Sequence, residues 1–98
     1  MNKKKAIDAI AKHADEIRSL GVAHLYLFGS TARGDAGSKS DVDIFVDLRP
    51  RAKFSLFDLM ELRAYLGRIL KGRADVFPRQ GLHRVIRRDV EREAVRVF

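Results

Sequence analysis

The feature that most constrains the fold is a short segment in which apolar side chains alternate with acidic or aromatic ones. The apolar positions are Val42, Ile44, Val46 and Leu48, and the positions beside them are Asp41, Asp43, Phe45 and Asp47. Successive side chains of a β-strand point to opposite faces of the sheet, so this alternation predicts a strand from Val42 to Leu48. One face packs on a core, and the acidic face is left for solvent or a ligand.

The rest of the chain predicts a small domain in which helices and strands are mixed. The expected elements are, in order, a helix from Ile7 to Leu20, strands from Val22 to Phe28 and from Val42 to Leu48, a helix from Ser55 to Leu70, a strand from Arg73 to Phe77 and a helix from Leu82 to Val97. This order indicates an α+β (α/β-like) fold, with a small mixed β-sheet flanked by helices.

Length and composition narrow the class of protein. With 98 residues, 46% of them hydrophobic, the chain suffices for one domain spanning residues 1–98. It has no cysteine, which excludes disulfides and thiolate zinc sites. Its apolar runs are too short for a signal peptide or a membrane span, so we expect a cytoplasmic protein. The net charge of +7 favours an anionic partner.

Asp41 and Asp43 form a candidate metal site. Two residues apart on a strand, their Cα atoms should lie about 6.6 Å from each other, close enough for both carboxylates to bind one divalent ion or two neighbouring ions. Such a pair repels unless a cation lies between its members. Oxygen ligands of this kind suit Mg²⁺ or Mn²⁺. The alternative is a half-exposed strand that carries two solvated aspartates.

Gly29 and Ser30 form a candidate phosphate site where the first strand ends. A glycine lets backbone amides approach a ligand closely, and Ser30 adds a hydroxyl donor where a short helix around Thr31 to Gly34 can begin. If the first two strands pair antiparallel, the end of one lies beside the start of the other. Gly29 and Ser30 then meet Asp41 and Asp43, so that a phosphate cradle adjoins the metal site.

This combination resembles the signature of the DNA polymerase beta nucleotidyltransferase superfamily, and in particular its minimal nucleotidyltransferase branch. The matching runs are Gly29-Ser30-Thr31-Ala32-Arg33-Gly34 and Ser40-Asp41-Val42-Asp43. The resemblance implies a polymerase-beta-type fold, two Mg²⁺ ions and ATP as the donor. It also implies a third carboxylate on a later strand. Asp75 fits, because Ala74 and Val76 would face the core while Asp75 faces the other way.

The resemblance also implies roles for single residues. Asp41, Asp43 and Asp75 would hold the metal ions, and Asp75 would help to take the proton from the attacking hydroxyl. Ser30 and the amide of Gly29 would hold the outer phosphates, assisted by Arg33. Members of the minimal branch commonly act as antitoxins that adenylylate a HEPN ribonuclease toxin, typically on a tyrosine.

Three functions therefore stay open. The first is adenylylation of a HEPN-domain toxin, the second is a binding-only antitoxin that occludes its toxin, and the third is nucleotidyl transfer to a small molecule or an RNA end. A basic stripe on the last predicted helix, Arg84, Arg88, Arg92 and Arg96, could dock RNA or an acidic partner. Interleaved acidic residues favour an ordinary solvated helix face instead. We expect Asp47 to be solvated or salt-bridged.

Overall fold

The computed structural model describes residues 2–34 and 41–98, and the predicted strands are present in it. The helices are α1 (Lys3–Lys12), α2 (Ala14–Ser19), α3 (Gly29–Arg33), α4 (Leu56–Leu70) and α5 (Arg84–Glu93), with a 3₁₀ turn at Arg79–Gly81. The strands are β1 (Val22–Phe28), β2 (Val42–Leu48), β3 (Ala74–Pro78) and β4 (Val95–Arg96). No helix in this part of the chain is long and apolar enough to cross a membrane.

The four strands form one mixed sheet in the order β3-β2-β1-β4. Strand β1 pairs antiparallel with both β2 and β4, whereas β3 runs parallel to β2. The predicted fold class, a small mixed sheet flanked by helices, is confirmed. The antiparallel pairing of β1 and β2, on which the predicted convergence of the two motifs depends, is also present.

Both faces of the sheet are covered. On one face, α1, α2 and α4 contribute the main core with the even-numbered residues of β2. On the other, Phe45 packs with Leu82 and Val90, the latter from α5, and is only 1% exposed. The expectation that this second face of β2 stays open was therefore wrong for its middle. The open part is the end of the strand that carries Asp43.

The predicted first helix is interrupted at His13. Its residues form α1 and α2, and His13 between them leaves helical geometry with φ −110° and ψ 19°. The ring Nδ1 of His13 lies 2.9 Å from the carbonyl oxygen of Ala9. Apolar spacing could not reveal this break, because Ile10 and Ile17 are both fully buried on either side of it.

The predicted last helix was too long. It ends at Glu93, and Val95 and Arg96 form β4, paired with Leu27 and Tyr26 of β1. This pairing gives the edge of β1 hydrogen-bond partners that a continued helix could not supply. Val85 and Ile86, both on α5, are 76% and 49% exposed.

Candidate active site

Two of the three predicted carboxylates lie side by side in the sheet. Asp43 of β2 is paired with Asp75 of β3 on one side and with Phe28, the last residue of β1, on the other. Adjacent strands lie about 4.8 Å apart, so the end of β1, Asp43 and Asp75 form a row across three strands. Asp41 immediately precedes β2, two residues from Asp43.

The electrostatics of Asp43 reflect this crowding. Burial raises the pKa of Asp43 above its usual value, and the negative charges of Asp75 and Asp41 raise it further. Arg33 acts in the opposite direction. The three carboxylates and Arg33 thus influence one another, as expected for groups that surround one site.

Gly29 places the start of α3 directly against Asp43. Its φ of +70° lies in the left-handed region, and a Cβ atom added to it would stand 2.5 Å from Oδ2 of Asp43. Only glycine fits such a position without displacing the carboxylate. Thr31 and Ala32 are buried and anchor the short helix, with Ser30 in its first turn.

A fourth acidic residue, Glu93, reaches this cradle from the last residue of α5. The amide of Gly29 donates a hydrogen bond to Glu93 Oε1 at 3.3 Å, and Arg33 Nη1 lies 3.3 Å from both oxygens of the same carboxylate. The sequence analysis missed Glu93. Its position among alternating charges of a helix gave no signal that it would turn towards residues about sixty positions earlier.

A cleft of about 260 Å³ opens beside Asp75. It lies between the C-terminal half of α4 and the beginning of β3. The residues that line it are Arg63, Ala64, Gly67, Gly72, Arg73, Ala74 and Asp75. Arg73 also approaches Asp41, with 3.9 Å between Nε and Oδ1, and connects this cleft with the acidic residues.

The donor set fits a hard divalent cation. Asp41, Asp43 and Asp75 offer carboxylate oxygens, the ligands that Mg²⁺ prefers, and the raised pKa of Asp43 shows the like-charge crowding that a bound cation relieves. Within residues 2–34 and 41–98, no three histidine or acidic side chains already stand in the arrangement of a metal site. Ligation by this trio therefore stays a prediction.

Asp47 and the basic stripe lie outside this site. Arg79 donates two hydrogen bonds to Asp47, at 2.7 and 2.9 Å, so that Asp47 is salt-bridged, one of the two expected states. The stripe is shorter than predicted, because Arg96 belongs to β4. Of the acidic residues interleaved with the stripe, Asp89 pairs with Arg92 at 3.9 Å. Glu91 and Glu93 bind Arg79 and Arg33 instead.

Comparison with known proteins identifies the family of this arrangement. The family model described as nucleotidyltransferase domain matches residues 10–97. The chain belongs to the nucleotidyltransferase domain family. The predicted resemblance is thereby confirmed, and the row formed by Gly29, Asp43 and Asp75 lies within the matched nucleotidyltransferase domain.

Relatives of this nucleotidyltransferase point to the minimal nucleotidyltransferase branch of the family. The protein adenylyltransferase MntA of Thermococcus cleftensis is 38% identical over 89 residues, which cover 90% of this chain and 88% of that protein. The solved structure of a minimal nucleotidyltransferase superposes with a TM-score of 0.82 at 28% identity, covering 97% and 95% of the two chains.

A third similar structure comes from a complex. It contains a tri-AMPylated HEPN toxin of Shewanella oneidensis together with an MNT antitoxin, and the matched chain has a TM-score of 0.67. At 18% identity, with 94% of this chain and 71% of that chain covered, the likeness establishes a shared fold.

Proposed function

We propose that this nucleotidyltransferase is an antitoxin that transfers AMP from ATP to a hydroxyl, a tyrosine in the simplest case, of a HEPN-domain toxin. One observation carries the proposal: the end of β1, Asp43 and Asp75 are aligned across three neighbouring strands. This alignment supports the proposal that a phosphate cradle, a metal-binding carboxylate and a base lie next to one another. The adenylyltransferase name of the Thermococcus cleftensis relative and the AMPylated toxin of the Shewanella oneidensis complex support the choice of donor and acceptor.

In this proposal the carboxylates bind metal and the cradle binds phosphate. Asp41, Asp43 and Asp75 would hold Mg²⁺, with Mn²⁺ as a substitute, and the bound metal supplies positive charge to the phosphates and the attacking oxygen. The hydroxyl of Ser30 and the amide of Gly29 hold the outer phosphates, and a phosphate oxygen then replaces Glu93 as the acceptor of the Gly29 hydrogen bond. Arg33 adds a cationic donor on the same side.

The reaction is an in-line displacement at the α-phosphorus. A bond forms from the acceptor oxygen to the α-phosphorus, and the bond to the bridging oxygen of the β-phosphate breaks, so that pyrophosphate leaves. The proton of the acceptor hydroxyl passes to Asp75. The residues of the cradle stabilise the charge that develops on the departing pyrophosphate.

A binding-only antitoxin explains the site less well. Occlusion of a toxin does not require Asp41, Asp43 and Asp75 to lie together. Burial, followed by the negative charges of Asp75 and Asp41, raises the pKa of Asp43, and a bound cation would favour its ionised form. Transfer to a small molecule or an RNA end would use the same metal site. The names of the relatives favour a protein acceptor over these.

The test is to purify the protein with a HEPN protein encoded beside it, add ATP and Mg²⁺, and measure the intact mass of the partner. We expect a mass increase of one or more AMP groups, absent with Asp41→Ala/Asp43→Ala. A partner that is inhibited without any mass increase would contradict the transfer proposal and favour occlusion.

A further inference from the structure

We propose that the cleft beside Asp75 binds the acceptor segment, and that Arg63 and Arg73 select a hydroxyl flanked by acidic residues. This inference rests on the proposed function and adds to it the recognition of the acceptor. Its four supports are the direction of the reaction across the sheet, the shape of the cleft, the edge of the sheet beside it and the charge at its rim.

The direction of the reaction follows from the strand order. In an in-line displacement, the attacking and leaving oxygens lie on opposite sides of the phosphorus. The proposed leaving group, pyrophosphate, is held at the end of β1 by Gly29 and Ser30. Asp43 lies in the next strand and Asp75 in the one after it. The acceptor hydroxyl must therefore approach from the β3 side of Asp43, and the cleft is on that side.

The shape of the cleft suits an inserted side chain and its flanking backbone. Four small residues line it, namely Ala64, Gly67, Gly72 and Ala74. Gly67 and Gly72 pack so closely that a Cβ atom on Gly67 would stand 3.1 Å from the carbonyl oxygen of Gly72. Larger residues at these positions would fill the space. Its volume of about 260 Å³ gives room for one side chain, and its wall includes Asp75, the proposed base.

The edge of the sheet lies on the same side as the cleft. In the part of the chain that the structure describes, β3 is the outermost strand of the order β3-β2-β1-β4. An outermost strand has a row of backbone groups directed away from the sheet, and an extended segment of another chain can pair with such a row. A polypeptide acceptor fits this edge better than a small molecule, which has no backbone to pair with it.

The charge at the rim indicates what flanks the hydroxyl. Arg63 and Arg73 are both exposed and line the cleft from α4 and from the residue before β3. The side chain of Arg73 is 85% exposed, and its 3.9 Å approach to Asp41 is too long for a strong hydrogen bond, so it is available to a ligand. Two guanidinium groups on either side of an inserted hydroxyl favour carboxylates on the neighbouring residues.

The test compares three synthetic peptides that contain one tyrosine flanked by aspartates, by serines or by lysines. AMP transfer is followed with the full-length protein, ATP and Mg²⁺, and the variant is Arg63→Glu/Arg73→Glu. We expect the wild-type protein to favour the aspartate peptide over the serine peptide by about tenfold in kcat/KM, as two partly screened charge pairs allow. The variant loses this preference or favours the lysine peptide, while the Kd for a non-hydrolysable ATP analogue stays within about twofold.

Arg84→Glu/Arg88→Glu is the matched control, because it makes the same change in net charge at two exposed positions on α5, which covers the other face of the sheet. We expect it to keep the peptide preference of the wild type. The cleft proposal is overturned if wild-type protein shows no preference, if it modifies the HEPN partner but no peptide, if Arg84→Glu/Arg88→Glu loses the preference equally, or if the cleft variant mainly loses ATP-analogue binding. Failure to modify either partner or peptides would instead overturn the proposed function.

Discussion

Gly29 is where the backbone at the start of α3 comes closest to Asp43, a proposed metal ligand. Gly29→Ala would put a methyl group 2.5 Å from Asp43 Oδ2 while the backbone keeps a φ of +70°. We expect a loss of stability of about 1–2 kcal/mol from the left-handed conformation. We also expect AMP transfer to fall by about 100-fold, because small displacements of reacting groups are costly. Urea unfolding and initial rates of transfer measure the two effects.

Gly34→Ala separates backbone strain from the clash. Gly34 has a similar φ of +80°, but an added Cβ atom would meet no atom of the described residues within 4 Å. This variant should lose a similar amount of stability and far less activity. Equal losses of activity in the two variants would show that the contact of Gly29 with Asp43 is unimportant.

The ionised form of Asp43, which the proposed metal site requires, lowers the stability of the folded protein. Its raised pKa means that the folded protein holds the proton more tightly than the unfolded chain does. The favourable contribution of protonated Asp43 is thus present at low pH and is lost as the pH rises through the folded-state pKa. At pH 7 the ionised carboxylate destabilises the metal-free protein.

Asp43→Asn removes that charge without changing the shape of the side chain. We expect the Tm in EDTA to rise by a few degrees at pH 7, with a smaller rise at pH 4, and AMP transfer to disappear. Thermal unfolding at the two pH values measures the difference. A Tm that falls equally at both would show that the crowding of Asp43 with Asp75 and Asp41 does not affect the fold.

Sequence patterns predicted the acidic residues of the site better than its surroundings. Asp43 and Asp75 were placed by strand alternation and family resemblance, both of which depend on local sequence, and the structure brings them together. Glu93 and the pair Arg63 and Arg73 could not be found in this way. Their positions depend on how α4 and α5 pack on the sheet, which no local pattern records.

At the scale of elements, Arg79 follows the end of β3 and forms hydrogen bonds with residues of β2 and α5. Besides its two hydrogen bonds to Asp47, it donates one to Glu91 at 2.6 Å, and its guanidinium lies 5.0 Å from the ring centroids of Tyr26 and Phe45. The hydrogen bond to Asp47 is the main reason that the pKa of Arg79 lies above its usual value.

Arg79→Lys tests this contact between elements. Lysine keeps the charge but loses the planar fork that binds Asp47 through two nitrogens and stacks on the rings. We expect the free energy of unfolding to fall by about 2 kcal/mol, the range for hydrogen bonds to charged groups. Arg92→Lys is the control, because its ion pair with Asp89 is long, at 3.9 Å, and exposed. It should change stability by less than about 0.5 kcal/mol. Similar values for both variants would contradict the role given to Arg79.

Strands were predicted more accurately than helix ends, for a physical reason. The alternation in β2 specifies both its type and its face, since a shift of one residue would bury Asp43 and Asp47. The end of α5 is not specified locally: Ala94 and Val97 suit helical spacing as well as an extended chain. Two hydrogen bonds decide in favour of β4: the amide of Val97 donates to the carbonyl oxygen of Leu25 at 2.8 Å, and the amide of Leu25 donates to that of Phe98 at 3.2 Å.

At the scale of the whole molecule, the residues that form the core and the residues of the candidate site lie on different parts of the sheet. Helices α1, α2 and α4 bury one face, and α5 with the Phe45 cluster covers the middle of the other. Among the residues that the structure describes, the candidate site lies where β1 ends and where β2 and β3 begin, at Gly29, Asp43 and Asp75. Both groups of helices reach this site, α5 through Glu93 and α4 through the cleft beside Asp75.

The central claim is that this chain transfers a nucleotidyl group to a protein hydroxyl. The most direct measurement supplies the HEPN partner with ATP labelled at either the α- or the γ-phosphate and follows the label on the partner. Label from the α-position alone, lost in Asp41→Ala/Asp43→Ala, is the predicted result. Label from the γ-position would indicate phosphoryl transfer instead, and no label from either, with the toxin still neutralised, would indicate occlusion; either result contradicts the claim.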